Sequence, residues 1–332
     1  MVFFGLVVGC ILQGSRESSS QSCTRQIFAM DTFMSFTAYG KNCEEAVDAA
    51  IEEVQRLDAL LSTGSSSSEI SKLNGAGHET VSEDTAVIFE RSLDVYETTE
   101  GMFDFTIYPL MKLWGFPSGE YHVPSKEEIG EFLPLVDASQ VHLDGMEVSL
   151  GEGQQADLGG IAKGYTSARV MEIYKEYGIT SGMVSLGGNI QVLNRKPDGS
   201  GWRVGIQEPT GERGEVAAVL EAENQAVVTS GGYERYFEED GNTYIHILDP
   251  RTGYPAEGDL ASVTVVSADG TLADALSTAL YIMGREDAIS YWKTYGEDFE
   301  LVLITDAGEI YVTEGIGGQL ESETGFTVVN RE

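Results

Sequence analysis

The feature that most restricts the fold is a change of hydrophobic period along the chain. Val47, Ala50, Ile51, Val54, Leu57 and Leu61 recur at helical spacing, so one face of an amphipathic helix is apolar there. Beyond Gly151 the runs shorten, and strands are expected near residues 182–186, 190–193, 202–207, 216–220, 226–229, 244–248 and 261–266. Helices are expected from about 82 to 101, 160 to 177 and 271 to 283, with one more behind the last and a hairpin near 301–312 closing the chain. The 39 glycines follow no fixed period, which favours tight turns and close backbone approaches over a fibre. At 332 residues the chain can bury a full core. The mixture predicts an α+β fold: one unit of mixed or antiparallel sheet with a helical lobe.

Local signals agree with this. Gly101 suits the residue that stops a helix, and Ser125-Lys126-Glu127-Glu128 reads as a capping box opening another. Asp144-Gly145 inside residues 141–148 reads as a hairpin turn. Alternation over residues 26–39 suggests one continuous strand between Cys23 and Cys43. At roughly 3.3 Å per residue it would hold the two sulfurs far beyond the ~7 Å Cα limit for a bridge, so both are expected to stay thiols.

Charge narrows the function. Lys and Arg total 20 against 54 Asp and Glu, a formal net charge of −34. Nucleic acid is excluded as a partner, because binding it depends on neutralising phosphates. The plain consequence is a solvated acidic surface; the functional one is that an anionic substrate such as a dinucleotide needs a divalent cation to be held.

Residues 2–12 form an apolar run containing Leu6-Val7-Val8-Gly9-Cys10, which resembles a bacterial lipobox with Cys10 as the acylated residue. The run lacks the positive start of a complete signal peptide and is too short to span a bilayer. A buried first strand is the other reading, but the Ser-rich stretch at 14–21 reads as a tether. Residues 1–24 are assigned as signal remnant and tether, and 25–330 as the globular domain.

Four segments carry chemistry. Asp157-Leu158-Gly159-Gly160-Ile161-Ala162-Lys163-Gly164-Tyr165 sets two glycines at the opening of a helix, where bare N–H groups suit phosphate and Lys163 adds charge. Alone, such a pair more often marks tight packing, and the order is not that of a P-loop. Ser185-Leu186-Gly187-Gly188-Asn189 runs a strand into a Gly-Gly turn. Thr229-Ser230-Gly231-Gly232-Tyr233 precedes His246-Ile247-Leu248-Asp249-Pro250, where His246 reads as a strand residue beside an Asp-Pro turn. A lone strand histidine is ordinarily a satisfied core group. In the fourth segment Asp274, Ser277 and Thr278 stand at i, i+3 and i+4, so their oxygens share one helix face. Hard oxygens suit Mg²⁺ or Ca²⁺ and not zinc; the competing account bonds the hydroxyls back to preceding carbonyls.

In order and wording these segments resemble the ApbE flavin transferases, the FAD:protein FMN transferases. The likeness extends over residues 27–311 and includes Ala29-Met30-Asp31-Thr32, Glu69-Ile70-Ser71-Lys72-Leu73-Asn74, Gly101-Met102-Phe103-Asp104-Phe105-Thr106 and Leu113-Trp114-Gly115-Phe116. The resemblance implies transfer of FMN from FAD to a Thr or Ser hydroxyl of another protein, with AMP released. It implies FAD contacts at Met30, Met102, Phe103, Asp104, Asp157, Lys163, His246 and Ile247. Mg²⁺ would be held by the backbone oxygen near Gly160 and by Asp274, Ser277 and Thr278. His246 and Asp274 are both candidates for the catalytic base. Acceptors would be membrane redox subunits or extracellular flavin-carrying proteins, met by a lipoprotein on the outer side of a cell membrane. An FAD pyrophosphatase and a non-catalytic FAD-binding lipoprotein are the alternatives. One departure stands out: members carry an aromatic, commonly Tyr, where this chain has Gly64 in Ser62-Thr63-Gly64-Ser65.

Overall fold

The computed structural model describes residues 21–211 and 214–332. The apolar run, most of the tether and the proposed acylation at Cys10 lie outside the described residues.

The chain opens with a hairpin, β1 (Ser22–Ala29) and β2 (Thr32–Tyr39), paired from Ser22↔Tyr39 to Ala29↔Thr32. The single strand expected here is therefore two. Met30 and Asp31 turn it, at φ 48° and 58°, a left-handed conformation that no glycine announces. The separation argued for the cysteines fails with it. The hairpin folds Cys23 back so that it packs in the same apolar cluster as Cys43, the first residue of α1 (Cys43–Leu61). No disulfide joins them.

α1 buries the helical stripe Val47, Ala50, Val54, Leu57 and Leu61. α2 (Glu69–Ala76) and β3 (His78–Thr80) follow, then α3 (Glu83–Thr98), whose Ser82 cap accepts from the Thr85 N–H. Gly101, at φ 81°, donates its N–H to the Tyr96 carbonyl just past the end of α3. α4 (Tyr108–Leu113) leads to α5 (Lys126–Phe132), where the Ser125–Glu128 capping box is present in full. β4 (His142–Asp144) and β5 (Glu147–Ser149) form the expected hairpin, and β5 also pairs with β3.

The second half contains α6 (Ala162–Glu176), β6 (Ser181–Leu186), β7 (Asn189–Leu193), β8 (Trp202–Gln207), β9 (Val216–Ala222) and β10 (Ala226–Gly231). An unanticipated hairpin, β11 (Tyr236–Glu239) with β12 (Asn242–Ile245), ends one residue before His246, which is therefore not in a strand. Next come β13 (Leu260–Ser267), α7 (Gly270–Met283), α8 (Arg285–Tyr295), β14 (Phe299–Thr305) and β15 (Ile310–Thr313). That last hairpin does not close the chain, because β16 (Leu320–Glu321) and β17 (Thr327–Val329) follow it.

Among the described residues the main sheet has nine strands, ordered β1-β2-β6-β7-β10-β13-β14-β15-β17. Only the β15–β17 pairing in it is parallel. Helices α1, α6 and α7 pack against one face. On the other face β8, β9 and β16 bury Trp202, Val204 and Leu220 against Val302 and Val312. No helix among the described residues is long and apolar enough to cross a membrane.

α6 and α7 meet backbone to backbone. A Cβ built on Gly164 would lie 2.2 Å from the Gly270 carbonyl oxygen and 2.6 Å from Asp274 Cβ. Gly164→Ala must therefore part the two helices, and overpacking of this kind costs about 1–3 kcal/mol. A fall of about 1.5–4.5 °C in Tm is expected by scanning calorimetry. An unchanged Tm would show that the crossing gives way freely.

Candidate active site

A cavity of about 1040 Å³ opens where the β1–β2 turn, the β6–β7 turn, β10, the start of α6 and one face of α7 converge. Its wall includes Met30, Met102, Phe103, Asp104, Asp157, Gly160, Lys163, His246, Ile247, Asp274 and Thr278, so residues spread over the whole chain meet in one place. Of the residues proposed from the sequence, only Ser277 does not line it.

At one end sit the oxygens. Asp269 caps α7 by accepting from the Leu272 N–H, and Asp269 is itself ion-paired with Arg91. The next turn of α7 carries Asp274, only 5% exposed, whose carboxylate accepts from the Gly164 N–H at 2.8 Å. Thr278 Oγ1 lies 3.4 Å from Ser230 Oγ, and a Cβ on Gly160 would come 3.8 Å from Thr278 Oγ1. Gly160 and Thr278 are thus neighbours, and Asp274 lines the same cavity one helical turn before Thr278. Ser277 turns away: its hydroxyl donates to the Asp274 carbonyl at 2.8 Å and bonds Ser230 Oγ at 2.8 Å. For Ser277 the back-bonding account is the correct one.

Among the described residues no three His, Cys, Asp or Glu side chains form a metal cluster. One buried carboxylate with neutral oxygens is nevertheless a set that fits Mg²⁺, which usually takes one or two carboxylates and completes its shell from phosphates and water. Zinc would call for His and Cys ligands in number.

The glycines before α6 act differently from the expectation. α6 begins at Ala162, two residues later than Gly160. The Gly159 N–H is bonded to Asp157 Oδ1 at 2.8 Å, and Lys163 Nζ donates to the Gly159 carbonyl at 3.1 Å. The Gly159 N–H is therefore occupied within the loop. Burial pushes the Asp157 carboxyl pKa up, with the Gly159 N–H, Lys163 and Arg235 pulling against it. Asp104 also lines the cavity, but its oxygens accept from the Thr106 N–H and hydroxyl and from the Ala138 N–H. It holds the 102–106 loop in place, and burial again raises its pKa.

His246 lines the same cavity. Its Nδ1 is 3.0 Å from the Arg235 carbonyl oxygen, which can only accept, so Nδ1 carries the proton and Nε2 the lone pair. Burial lowers its pKa from 6.5 to about 4, with the positive charge of Arg235 and Lys163 pushing the same way. The imidazole is neutral at pH 7 and able to accept a proton.

Two residues of the wall have a place that the sequence reading did not assign them. Arg235 places its carbonyl against His246 and its guanidinium on the Phe116 carbonyl. It becomes visible only once the β11–β12 hairpin joins it to His246. Asn189, at the end of the β6–β7 turn, is 2% exposed, and neither atom of its amide has a partner. Buried polar groups are nearly always satisfied, so an orphaned amide in this wall fits a cavity shaped around a polar ligand.

Ser62, Thr63 and Gly64 also line the cavity. A Cβ at Gly64 would meet only Ser62 Oγ, at 3.7 Å, which is ordinary contact. Gly64→Tyr should therefore fold normally and tighten FAD binding about 2- to 10-fold, the worth of one ring stacked on another. Titration calorimetry checks this; unchanged or weaker affinity would place the new ring away from the ligand.

The model of the ApbE family matches residues 30–303. A protein of Treponema pallidum named FAD:protein FMN transferase is 32% identical, with 87% of this chain and 87% of that one covered. The protein of the same name from Escherichia coli K12 is 31% identical, over 86% and 84%. Among solved structures, the ApbE protein of Thermotoga maritima superposes with a TM-score of 0.85 at 33% identity, covering 90% of this chain and 99% of its own. The flavin transferase ApbE of Vibrio cholerae gives 0.81 at 26% identity, over 90% and 99%. The fold is that of a flavin-transferase-like α+β protein. The chain belongs to the ApbE family.

Proposed function

We propose that this chain transfers FMN from FAD to a Thr or Ser hydroxyl on an acceptor protein, releasing AMP. The observation that carries the reading is the pairing, in one cavity, of a hard-oxygen set at Gly160, Asp274 and Thr278 with a neutral imidazole at His246. The names of the relatives support it.

The hydroxyl oxygen of the acceptor forms a bond to the FMN-side phosphorus, and its proton passes to His246 Nε2. The bond from that phosphorus to the bridging oxygen breaks, and the electron pair leaves with AMP. Mg²⁺, held by the Gly160 carbonyl, Asp274 and Thr278, would supply charge stabilisation at the pyrophosphate. Asp274 is assigned to the metal and not to the base role, because its carboxylate is buried and committed to Gly164. Met30, Met102, Phe103, Asp157, Lys163 and Ile247 form the FAD wall. The Gly9-Cys10 lipobox supports acylation at Cys10 and anchoring on the outer side of a cell membrane. Membrane redox subunits and extracellular flavin-carrying proteins are the proposed acceptors.

The test is incubation with FAD, Mg²⁺ and a panel of flavin-carrying domains, read by in-gel flavin fluorescence. Labelled protein supports transfer. Free FMN without label would make the chain a pyrophosphatase, and intact FAD a binder.

A further inference from the structure

We propose that Arg235 is a positioning residue of the reaction, tying its own backbone carbonyl in the place from which it orients His246; the inference rests on the flavin-transfer reading above. That carbonyl oxygen accepts twice from one residue, from the His246 backbone N–H at 3.0 Å and from the ring at Nδ1, also at 3.0 Å. A single atom thus fixes both the backbone of His246 and the orientation of its imidazole. With Nδ1 as the donor, Nε2 keeps the lone pair that takes the acceptor's proton. The direction of that lone pair is only as well defined as the place of the Arg235 carbonyl.

The Arg235 side chain supplies that definition. Residues 235 and 246 flank the open end of β11–β12, which among the described residues is joined by no third strand. A lone hairpin is marginal in water and takes its position from what it packs on. Its body is seated by rings: Phe237 and Tyr244 stack with centroids 5.2 Å apart, and Tyr244 lies 5.5 Å from Trp114. Its open end is tied by the Arg235 guanidinium, which donates to the Phe116 carbonyl. Phe116 is a firm anchor. It is fully buried, its N–H donates to the Met111 carbonyl at 3.1 Å, and its ring meets the His246 ring at a centroid distance of 6.4 Å. Two residues earlier, Trp114 Nε1 donates to the Gly253 carbonyl at 2.9 Å, which pins the same turn to the chain beyond His246.

The same side chain acts on the proton through its charge. Burial is the main reason that the His246 pKa is low, and the positive charges of Arg235 and Lys163 add to it. Arg235 therefore has two separable effects, one of geometry and one of charge. Lys at this position keeps the charge and lacks the planar fork; Met keeps a long apolar stem and lacks the charge. A displacement of about 1 Å at a reacting group can cost about 100-fold in rate, so even slight loosening of the carbonyl is measurable.

The experiment compares Arg235→Lys and Arg235→Met with wild type, reading the His246 ring nitrogens by ¹⁵N NMR and FMN transfer to the domain that wild type labels in the panel above. The chain has only four histidines, and the His246→Gln variant assigns the signal. Wild type should show the Nδ1–H tautomer alone. Both variants should show a mixture of tautomers and a transfer rate at saturating FAD and acceptor about tenfold lower or worse, with the Kd for FAD unchanged. The acid limb of the pH profile should rise above about 4 in the Met variant and stay there in the Lys variant, which retains the charge. Wild-type tautomer and rate in both variants overturn the inference and leave the transfer reading intact. A weakened FAD affinity with the tautomer unchanged also overturns it, and makes the guanidinium a ligand contact. If wild type labels no domain, the transfer reading fails and the role of Arg235 in it fails with it.

Discussion

A folded Asp274→Asn protein is expected to lose saturable Mg²⁺ activation and to transfer FMN about a hundredfold more slowly or worse, ~2.7 kcal/mol at 1.36 kcal/mol per decade. Asp274 is the one carboxylate in the proposed oxygen set, and the Gly160 carbonyl and Thr278 hydroxyl that complete it are neutral. Mg²⁺ dehydrates reluctantly and relies on carboxylates and phosphates to replace its water. Asn is the informative replacement because its amide oxygen can still accept the Gly164 N–H that Asp274 now satisfies at 2.8 Å. Ala would leave that N–H orphaned at a tight helix crossing, at a cost of about 1–3 kcal/mol, and would mix stability with catalysis. Transfer rate against Mg²⁺ concentration is the measurement, with circular dichroism to confirm the fold. Wild-type saturation by Mg²⁺ in the Asn variant would refute the metal role.

His246→Gln is the second large effect. Removing a general base costs typically about 10²- to 10⁴-fold, and FAD affinity should change far less than the rate. The wild-type pH profile offers an independent check. The His246 pKa is lowered from 6.5 to about 4, so the imidazole stays in its basic form as pH falls past its ordinary range. The acid limb due to this group should lie near pH 4, where an unperturbed histidine would place it near 6.5. The same shift has a stability consequence of definite sign. The unfolded chain takes up this proton first, so the stability His246 contributes is full above pH 6.5 and is lost as pH falls from there through about 4. A Gln variant with a wild-type rate, or a wild-type acid limb centred near 6.5, would remove His246 from the base role.

Much of this was legible where local chemistry decides structure. The apolar stripe of α1, the Ser125–Glu128 capping box and the Asp144-Gly145 turn each need only neighbouring residues to work. What was not legible depends on long-range contact. Met30 and Asp31 turn a hairpin without glycine, and nothing nearby in sequence marks them; the seat of Thr32 against Gly187 is visible only in three dimensions. β11 runs Tyr-Phe-Glu-Glu and exists by pairing with β12, so alternation could not reveal it, and Arg235 stayed hidden with it. Ser277 shares a helix face with Asp274 and Thr278 by spacing, yet its hydroxyl is claimed by the Asp274 carbonyl and Ser230. Spacing reports which face a residue occupies and says nothing of what already bonds it there.

The central claim is tested most directly by mixing the protein with FAD, Mg²⁺ and an acceptor domain, then measuring the intact mass of the acceptor and the AMP released in the same sample. The expected result is one FMN esterified to the acceptor for each AMP formed, with the label lost when the acceptor Thr or Ser is replaced by Ala. AMP and free FMN in equal amounts with an acceptor of unchanged mass would contradict it.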